Sequence, residues 1–336
     1  MADPIVAANG AHTGQGQNLG NDFENITKYL TNKLDEQLVH EAKTAGMTAD
    51  SALVQATTTA GVVKLGTIEA TGLGNYDKNR GYPVGGMSLV FNEYTLRYDR
   101  ALSVTVDRRD QQVTGGIAQA ATGLAWTMRH KIIPEIDATR MAVLYEKLNA
   151  ESATYNNVTS GAKPTEANIV SKLTTAINTV RKATGLDSGL QLYVNAELMD
   201  ILDQNTTATK MQDIAAAGAI NNTVTTFKGL PVTYVPDDRM KTTITLNDGF
   251  TNALTDGTDL SSVDASKFGY VPGNKSIWFT VLAPGVANAI SAIENTKVVP
   301  ANINQKFDGD TFYYRLYHDL IVPKHQAEGA FMAVQS

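Results

Sequence analysis

The sequence predicts an α+β fold on an elongated plan, and three observations carry that reading. One helical stretch runs from about Asp110 to Leu148 with a single interior breaker, Pro134. A β-rich segment over 61–108 alternates apolar with polar residues on either side of a glycine-dense loop. From 160 to 285 the texture changes to short helices alternating with short strands. At 1.5 Å rise per residue the long helix would measure roughly 60 Å, whereas a compact ball of this length has a radius of gyration of only about 20 Å. One helix would therefore cross the molecule. That geometry suits a thin plate, and plates tile.

In chain order, residues 1–20 are rich in Gly, Ala, Asn and Gln and cannot build a core alone. Residues 21–45 read as an amphipathic helix. Asn21 and Glu24 form a capping-box-like pair, Phe23, Ile26, Leu30, Leu34 and Leu38 make the apolar stripe, and Gly46 stops it. In the β segment, Val63 and Leu65 precede Gly72, Gly74, Gly81, Gly85 and Gly86. Alternation resumes at Tyr94, Leu96 and Tyr98, then at Leu102, Val104 and Val106. This predicts a two-stranded arm with a flexible tip near 71–86. An isolated hairpin is marginal in water, so the arm needs another surface to lie on.

The long helix takes Asp107 as its N-terminal cap, kinks at Pro134 and stops in the polar run 149–152. Its stripe is Ile117, Ala121, Leu124, Met128, Ile132, Ile136, Val143, Leu144 and Leu148. Thr165 caps a helix bearing Ile169, Leu173, Ile177 and Val180, ended by Gly185. Leu190, Leu192 and Val194 make a strand, and Asn195 caps a helix through Met199 and Leu202. Leu230 to Val235 and Ile277 to Val281 are further strands, with polar 241–266 as surface loop. Thr296 to Val299 and Phe312 to Val322 return as strands joined through Asp308-Gly309-Asp310.

Hydrophobic content of 43% with 18% charge is globular and argues against a disordered chain. A net charge of −6 without a lysine or arginine block argues against a nucleic-acid-binding surface. The absence of cysteine excludes disulfides, thiolate metal sites and cysteine nucleophiles. With no secretory apolar region and no run of about eighteen apolar residues, the expectation is a soluble, cytoplasmic chain without membrane contact.

Catalytic signatures are missing: no phosphate-binding loop, nucleophile elbow or zinc-binding His pair occurs. Gly14, Gly16 and Gly20 lack dinucleotide-loop spacing and a preceding strand. His318, Asp319 and His325 could make a metal site or an acid–base pair, against the ordinary reading of residues satisfied at a strand edge. No catalytic, cofactor-binding or metal residue is assigned, and no cofactor is expected. Arg97, Asp99, Arg100, Asp107, Arg108, Arg109 and Asp110 form a dense mixed-sign cluster at the base of the arm. Such a cluster is either a solvated strand face or a set of pairs across a subunit boundary.

The order of arm, hairpin loop, long helix, inserted α/β domain and returning strands resembles the tailed-bacteriophage major capsid proteins of the Hong Kong 97-type fold. Local stretches resemble versions from phages of Gram-positive hosts: Gly72-Leu-Gly-Asn-Tyr-Asp77 with Gly81-Tyr82, Tyr94-Thr-Leu-Arg-Tyr-Asp-Arg100 with Val106-Asp-Arg108, Pro134-Glu-Ile-Asp-Ala-Thr-Arg140, and Asp310-Thr-Phe-Tyr-Tyr-Arg315 followed by Tyr317-His-Asp319. The resemblance implies an N-terminal arm over 1–60, an extended β-hairpin loop over 61–108 and a spine helix of a peripheral domain over 109–160. An axial domain over 161–285 and returning peripheral strands over 286–336 complete it.

The implied function is assembly, not turnover. Hexamers and pentamers of the chain would build an icosahedral shell around a double-stranded DNA genome, forming in the host cytoplasm and residing in the virion. Implied partners are other copies of the chain, scaffold, portal and decoration proteins, and packaged DNA contacted non-specifically. An acidic balance fits a container, because a strongly basic lining would hold the genome. Tyr76, Lys78 and Tyr82 at the loop tip join the charged cluster as inter-subunit contact candidates, with the Tyr94, Leu96, Tyr98 face or its opposite lying on a neighbouring helix. Some relatives lock subunits by an isopeptide bond between a loop-tip lysine and a neighbour's asparagine. Lys78 sits where such a lysine would be, and Asn149, Asn295 and Asn302 are among the asparagines available. That chemistry also needs a nearby buried glutamate as proton acceptor, and nothing in the sequence marks the aligned trio, so noncovalent closure is expected. Three alternatives stay open: an encapsulin-like compartment shell, a sheet- or tube-forming surface or tail protein, and an enzyme centred on His318.

Overall fold

The computed structural model describes residues 42–47, 54–56, 61–79, 81–108, 124–205, 226–249, 268–305 and 308–336. Residues 1–41, with most of the expected N-terminal helix and the Gly14–Gly20 loop, lie outside them, as do the first turns of the long helix. Residues 43–46, expected as the last helical turn, form a turn instead.

The strands are β1 (Val54–Ala56), β2 (Val62–Ala70), β3 (Met87–Thr95), β4 (Tyr98–Asp107), β5 (Val158–Gly161), β6 (Gln191–Asn195) and β7 (Thr226–Phe227). They continue with β8 (Leu230–Val235), β9 (Ile244–Leu246), β10 (Tyr270–Pro272), β11 (Ile277–Leu282), β12 (Asn288–Val299), β13 (Gly309–Ile321) and β14 (Ala330–Gln335). The α-helices are α1 (Ile133–Tyr155), α2 (Ile169–Thr184) and α3 (Met199–Gln204). The described residues fall into two units, 43–98 with 135–292 and 317–336, and 99–134 with 293–316.

The larger unit is built on a mixed six-stranded sheet in the order β5-β14-β11-β6-β8-β7. β11 is buried at every position, an apolar run interrupted only by Thr280, as in an interior strand covered on both faces. α2 buries Ile169, Leu173, Ala176, Ile177 and Val180, and α1 adds Met141, Val143, Leu144 and Leu148 to the same core. α2 ends as expected at Gly185, whose φ of 70° suits glycine. Its first residue follows Asn168 rather than Thr165; the two close a turn ahead of it, Thr165 N–H donating to Asn168 Oδ1 at 2.9 Å. Asn195 caps as expected, accepting from Glu197 N–H at 2.9 Å. The polar stretch after 241 is not all loop, since β9 pairs antiparallel with β10. The C-terminal β14, which the sequence reading passed over, enters the sheet between β5 and β11.

The long helix departs from expectation in three ways. It runs on to Tyr155, because the polar residues at 149–152 do not break its backbone bonds, and it ends at Asn156 with φ 49°. It is not one-striped: Ile136 to Thr139 and Met141 to Leu144 are all buried, the pattern of a helix covered all round. Asp137, outside the expected stripe, is wholly buried. It accepts from Lys43 N–H and Thr44 N–H at 3.1 Å, Thr44 Oγ1 at 2.6 Å and Arg239 Nη1 at 3.1 Å. Finally, the expected kink at Pro134 takes the form of a π turn over Met128–Ile132, closed by Ile133 N–H to Met128 O. Proline lacks the donor that a regular turn needs and crowds the carbonyl four residues back, and an extra residue in the turn relieves both.

In the smaller unit the sheet order is β12-β13-β4. Half-buried and exposed residues alternate along β4. The β12–β13 turn comes earlier than expected. Asp310 already sits in β13, where it accepts from Ala301 N–H at 2.7 Å. At Gly309 a side chain would collide with the Val106 carbonyl, so glycine there permits close backbone approach.

Candidate functional site

The arm expected from the sequence is present as an antiparallel pair in unbroken register, from Val62↔Thr95 to Ala70↔Met87. β1 flanks it on the β2 side. Its return strand begins at Met87, well before Tyr94. Consecutive apolar residues in Leu89-Val90-Phe91 hide the period-two signal there. Past Thr95 the chain turns, and the alternation at 98–106 belongs to β4 in a different sheet.

Burial along the arm decides between the two faces that the sequence left open. Leu96 is buried and Tyr98 is half-buried on its own unit's core, so that face is already covered. The exposed apolar residues are Met87 (80%), Leu89 (54%), Val90 (47%) and Phe91 (44%), with Ile68 opposite and Leu73 and Val84 at the tip. Among the described residues β3 is an edge strand, pairing with β2 alone. An open edge carrying large apolar side chains is a surface that water does not tolerate cheaply.

The tip is built rather than slack. Thr71 and Gly86 close its neck through Thr71 N–H to Gly86 O at 3.0 Å and Gly86 N–H to Thr71 Oγ1 at 2.9 Å. A smaller turn forms inside it, with Gly81 N–H to Asp77 O at 2.7 Å and Asn79 N–H to Asp77 Oδ1 at 2.7 Å. Gly81 supplies the positive φ of 76° that this turn requires. Tyr76 and Tyr82 flank the turn with ring centroids 5.1 Å apart, both largely exposed, and Lys78 stands exposed on the turn itself.

The root of the arm is a clamp. Leu96 N–H donates to Gly61 O at 2.8 Å, and Tyr317 Oη donates to Leu96 O at 2.9 Å. Arg97 donates from Nε to Asp319 Oδ2 at 3.1 Å and from Nη1 to both Glu146 oxygens at 3.2 and 2.9 Å. Its guanidinium lies 5.3 Å from the Tyr98 ring centre. Burial of Arg97 works against its charge, yet the carboxylates raise its pKa above the ordinary arginine value. Burial likewise works against the Glu146 carboxylate, but hydrogen bonds and charge from Arg97 hold its pKa below normal. A cleft of about 610 Å³ opens beside the clamp, lined by Glu93, Tyr94, Arg97, Lys147, Asp319 and His325 among others.

Other members of the charged cluster find partners within the chain. Asp99 receives Arg315 Nε at 2.9 Å and Nη2 at 2.6 Å, which lowers its pKa. Arg108 lies 3.8 Å from Asp308. Arg100 and Asp107 sit on β4, half-buried and exposed, while Arg109 and Asp110 lie outside the described residues. Glu146, Asp308 and Arg315 were missed as partners because they are remote in sequence. His318 is buried with its ring 5.9 Å from Tyr98, and Asp319 is committed to Arg97. Among the described residues no three His, Asp or Glu side chains are grouped to hold a metal, and no helix is long and apolar enough to cross a membrane.

No family model matches the chain, and no curated protein matches it. Solved structures do. The capsid structure of the cyanophage P-SCSP1u aligns over 86% of this chain and 86% of its own, at 12% identity and a TM-score of 0.54. A chain of Mycobacterium phage Che8 covers 82% and 85% at 16% identity with a TM-score of 0.48. The virus-like particle from Pyrococcus furiosus covers 90% and 98% at 11% identity with a TM-score of 0.41. On the cyanophage alignment, this chain has the mixed α+β fold of a phage capsid structure, consistent with the Hong Kong 97-type class that the sequence resembles.

Proposed function

We propose that the chain is a major capsid protein that self-assembles through hexamers and pentamers into an icosahedral shell around a double-stranded DNA genome. The exposed apolar edge of β3, with the ordered tip beyond it, carries this reading. A strand with Met87, Leu89 and Phe91 in water gains roughly 1.5–3 kcal/mol per fully buried side chain when a neighbouring copy covers it. Many such small interfaces, closed by symmetry, make one stable object. The clamp at Gly61, Leu96 and Arg97 fixes the direction in which the arm leaves, so little ordering cost remains at assembly. The tip residues Tyr76, Lys78 and Tyr82 meet the neighbour, and closure is noncovalent. Residues 161–285 act as the axial domain, whose sheet β14 joins from the C-terminal segment, with 109–160 and the rest of 286–336 as peripheral. The chain resides in the virion and performs no turnover.

Size-exclusion chromatography and negative-stain microscopy of the expressed protein test this. Hexamer-sized or shell-sized particles are expected. Replacing 71–86 by Asn-Gly, a two-residue hairpin turn joining the register-paired Ala70 and Met87, should leave a folded chain without shells. A native chain that stays monomeric at micromolar concentration in every salt overturns the reading. Shells filled with protein cargo and no nucleic acid would place the chain among compartment shells instead.

A further inference from the structure

We infer that β3 pairs antiparallel with β3 of a second copy across a two-fold axis, in the register that sets Leu89 opposite Leu89. This rests on the capsid reading, in which a neighbouring copy covers the arm, and adds which part of that copy does so and in what register.

The ladder fixes which groups face the open edge. Thr71 N–H donates to Gly86 O at 3.0 Å and Leu96 N–H to Gly61 O at 2.8 Å, and both pairs continue the unbroken register of β2 on β3. Bonded and non-bonded pairs alternate along an antiparallel ladder. Even-numbered residues of β3 therefore direct N–H and C=O at β2, whereas Met87, Leu89, Phe91 and Glu93 direct theirs at the open edge. These odd residues also share one face. Met87, Leu89 and Phe91 stand there at 80%, 54% and 44% exposure, beside Ile68 of β2 at 61%. Gly66 lies opposite Phe91, and a Cβ on it would come within 3.1 Å of the Phe91 ring. The ring thus lies across the arm and is already placed.

Open backbone groups and apolar side chains on the same residues call for a strand. A helix, an apolar protein face or a lipid surface would cover the side chains and leave the edge N–H and C=O groups unpaired. A strand supplies both. The other open edges among the described residues do not match. β1, β5, β7, β9 and β10 are two to four residues long. β4 presents Ala101, Ser103 and Thr105 on its exposed face, and β12 presents Asn295 and Lys297.

β3 itself matches. A two-fold turn pairs odd residues with odd, so outward N–H and C=O groups meet across the axis. Turned about Leu89, the strand sets Met87 against Phe91 of the second copy and Leu89 against Leu89, so each exposed apolar residue meets another. Turning it about Val90 or Phe91 would put Glu93 opposite Met87 or Leu89 instead. An isologous contact does not close a ring, so it links copies that belong to different hexamers or pentamers. Two arms tied in this way form one continuous sheet, with the apolar side chains of both on one face.

The chain has no cysteine, so an introduced thiol reports alone. Full chains carrying Leu89→Cys, Val90→Cys or Phe91→Cys are oxidised under assembly conditions and run on a non-reducing denaturing gel. Residues directly opposite in an antiparallel pair have Cα atoms about 4.5–5.5 Å apart, within disulfide reach. Leu89→Cys should therefore give covalent dimer about tenfold faster than either of the others. Mixing Ser88→Cys chains with Val90→Cys chains should give dimer that neither gives alone. A second measurement removes a backbone donor. Leu89→Pro loses an edge N–H that β2 does not use, so the arm keeps its ladder; particles should be lost in this variant and only weakened in Leu89→Ala. Equal rates for the three cysteines, a faster dimer from Val90→Cys or Phe91→Cys, or equal assembly of Leu89→Pro and Leu89→Ala would each overturn the inference. Microscopy of the same samples separates the two readings. Particles from the native chain without a Leu89→Cys dimer fail the pairing alone, whereas a rapid Leu89→Cys dimer from a chain that never forms particles fails the capsid reading alone.

Discussion

Two β-structures of the larger unit solve opposite problems. In the six-stranded sheet β11 is buried at every position, and α1 and α2 add apolar side chains to the same core. In the arm, β3 is exposed at nearly every position although it carries residues of the same kind, Leu, Val and Phe. Strand propensity made both, but only the first found its cover within the chain. Backbone pairing alone is therefore not self-sufficiency: a strand is stable when both its ladder and its faces are satisfied. The arm has its ladder on one side and is fixed at its root, which is what an element that completes itself on another copy requires.

The sharpest way to break this contrast is to damage each side and compare. Phe279→Ala in β11 should cost about 3–5 kcal/mol of unfolding free energy in urea titration, since Phe279 is 1% exposed and stacks on Phe331. Soluble, native-like Phe279→Ala protein at full stability would show that the sheet is not the core.

Gly61→Ala should come next, at about 2–3 kcal/mol. Its φ is 80° and a methyl there runs into the Tyr317 hydroxyl. Adding Tyr317→Ala should recover the collision part of the loss and leave the backbone part.

Arg97→Ala should cost on the order of 2 kcal/mol. It strands the buried Asp319 carboxylate, but Arg97 itself is over a third exposed and solvent screens part of the loss. Assembly of this variant should be slower than its stability loss explains, because the arm's direction is released; equal losses in both would reduce the clamp to ordinary stabilisation.

Leu89→Ser combined with Phe91→Ser should move monomer stability by no more than about 0.5 kcal/mol and yet abolish shells. A large stability loss would mean that the arm belongs to its own chain's core.

Acid gives the smallest effect. Asp99 and Glu146 have folded pKa values below their ordinary ones. Their stabilising contribution is thus complete above the unfolded carboxylate value and fades as pH falls through the folded one. A melting series from pH 6 downward should show this fading, and Asp99→Asn should flatten the part due to Arg315.

The sequence by itself determined the order of elements, the arm, and the caps at Asn195 and Gly185. These are local matters: period, capping chemistry and positive φ act over a few residues. It also marked the charged cluster, though without partners, since Arg97 meets Asp319 only after more than two hundred residues of chain have folded between them. Tertiary structure decided the rest. It made Asp137 a buried hub instead of a solvent-facing carboxylate, placed β14 inside the sheet, and assigned β4 away from the arm. It also chose which apolar residues remain in water. Leu96 and Phe91 look alike as strand residues; one is covered by its own chain and the other is not. Burial depends on what packs from a distance, and no window of sequence carries that information.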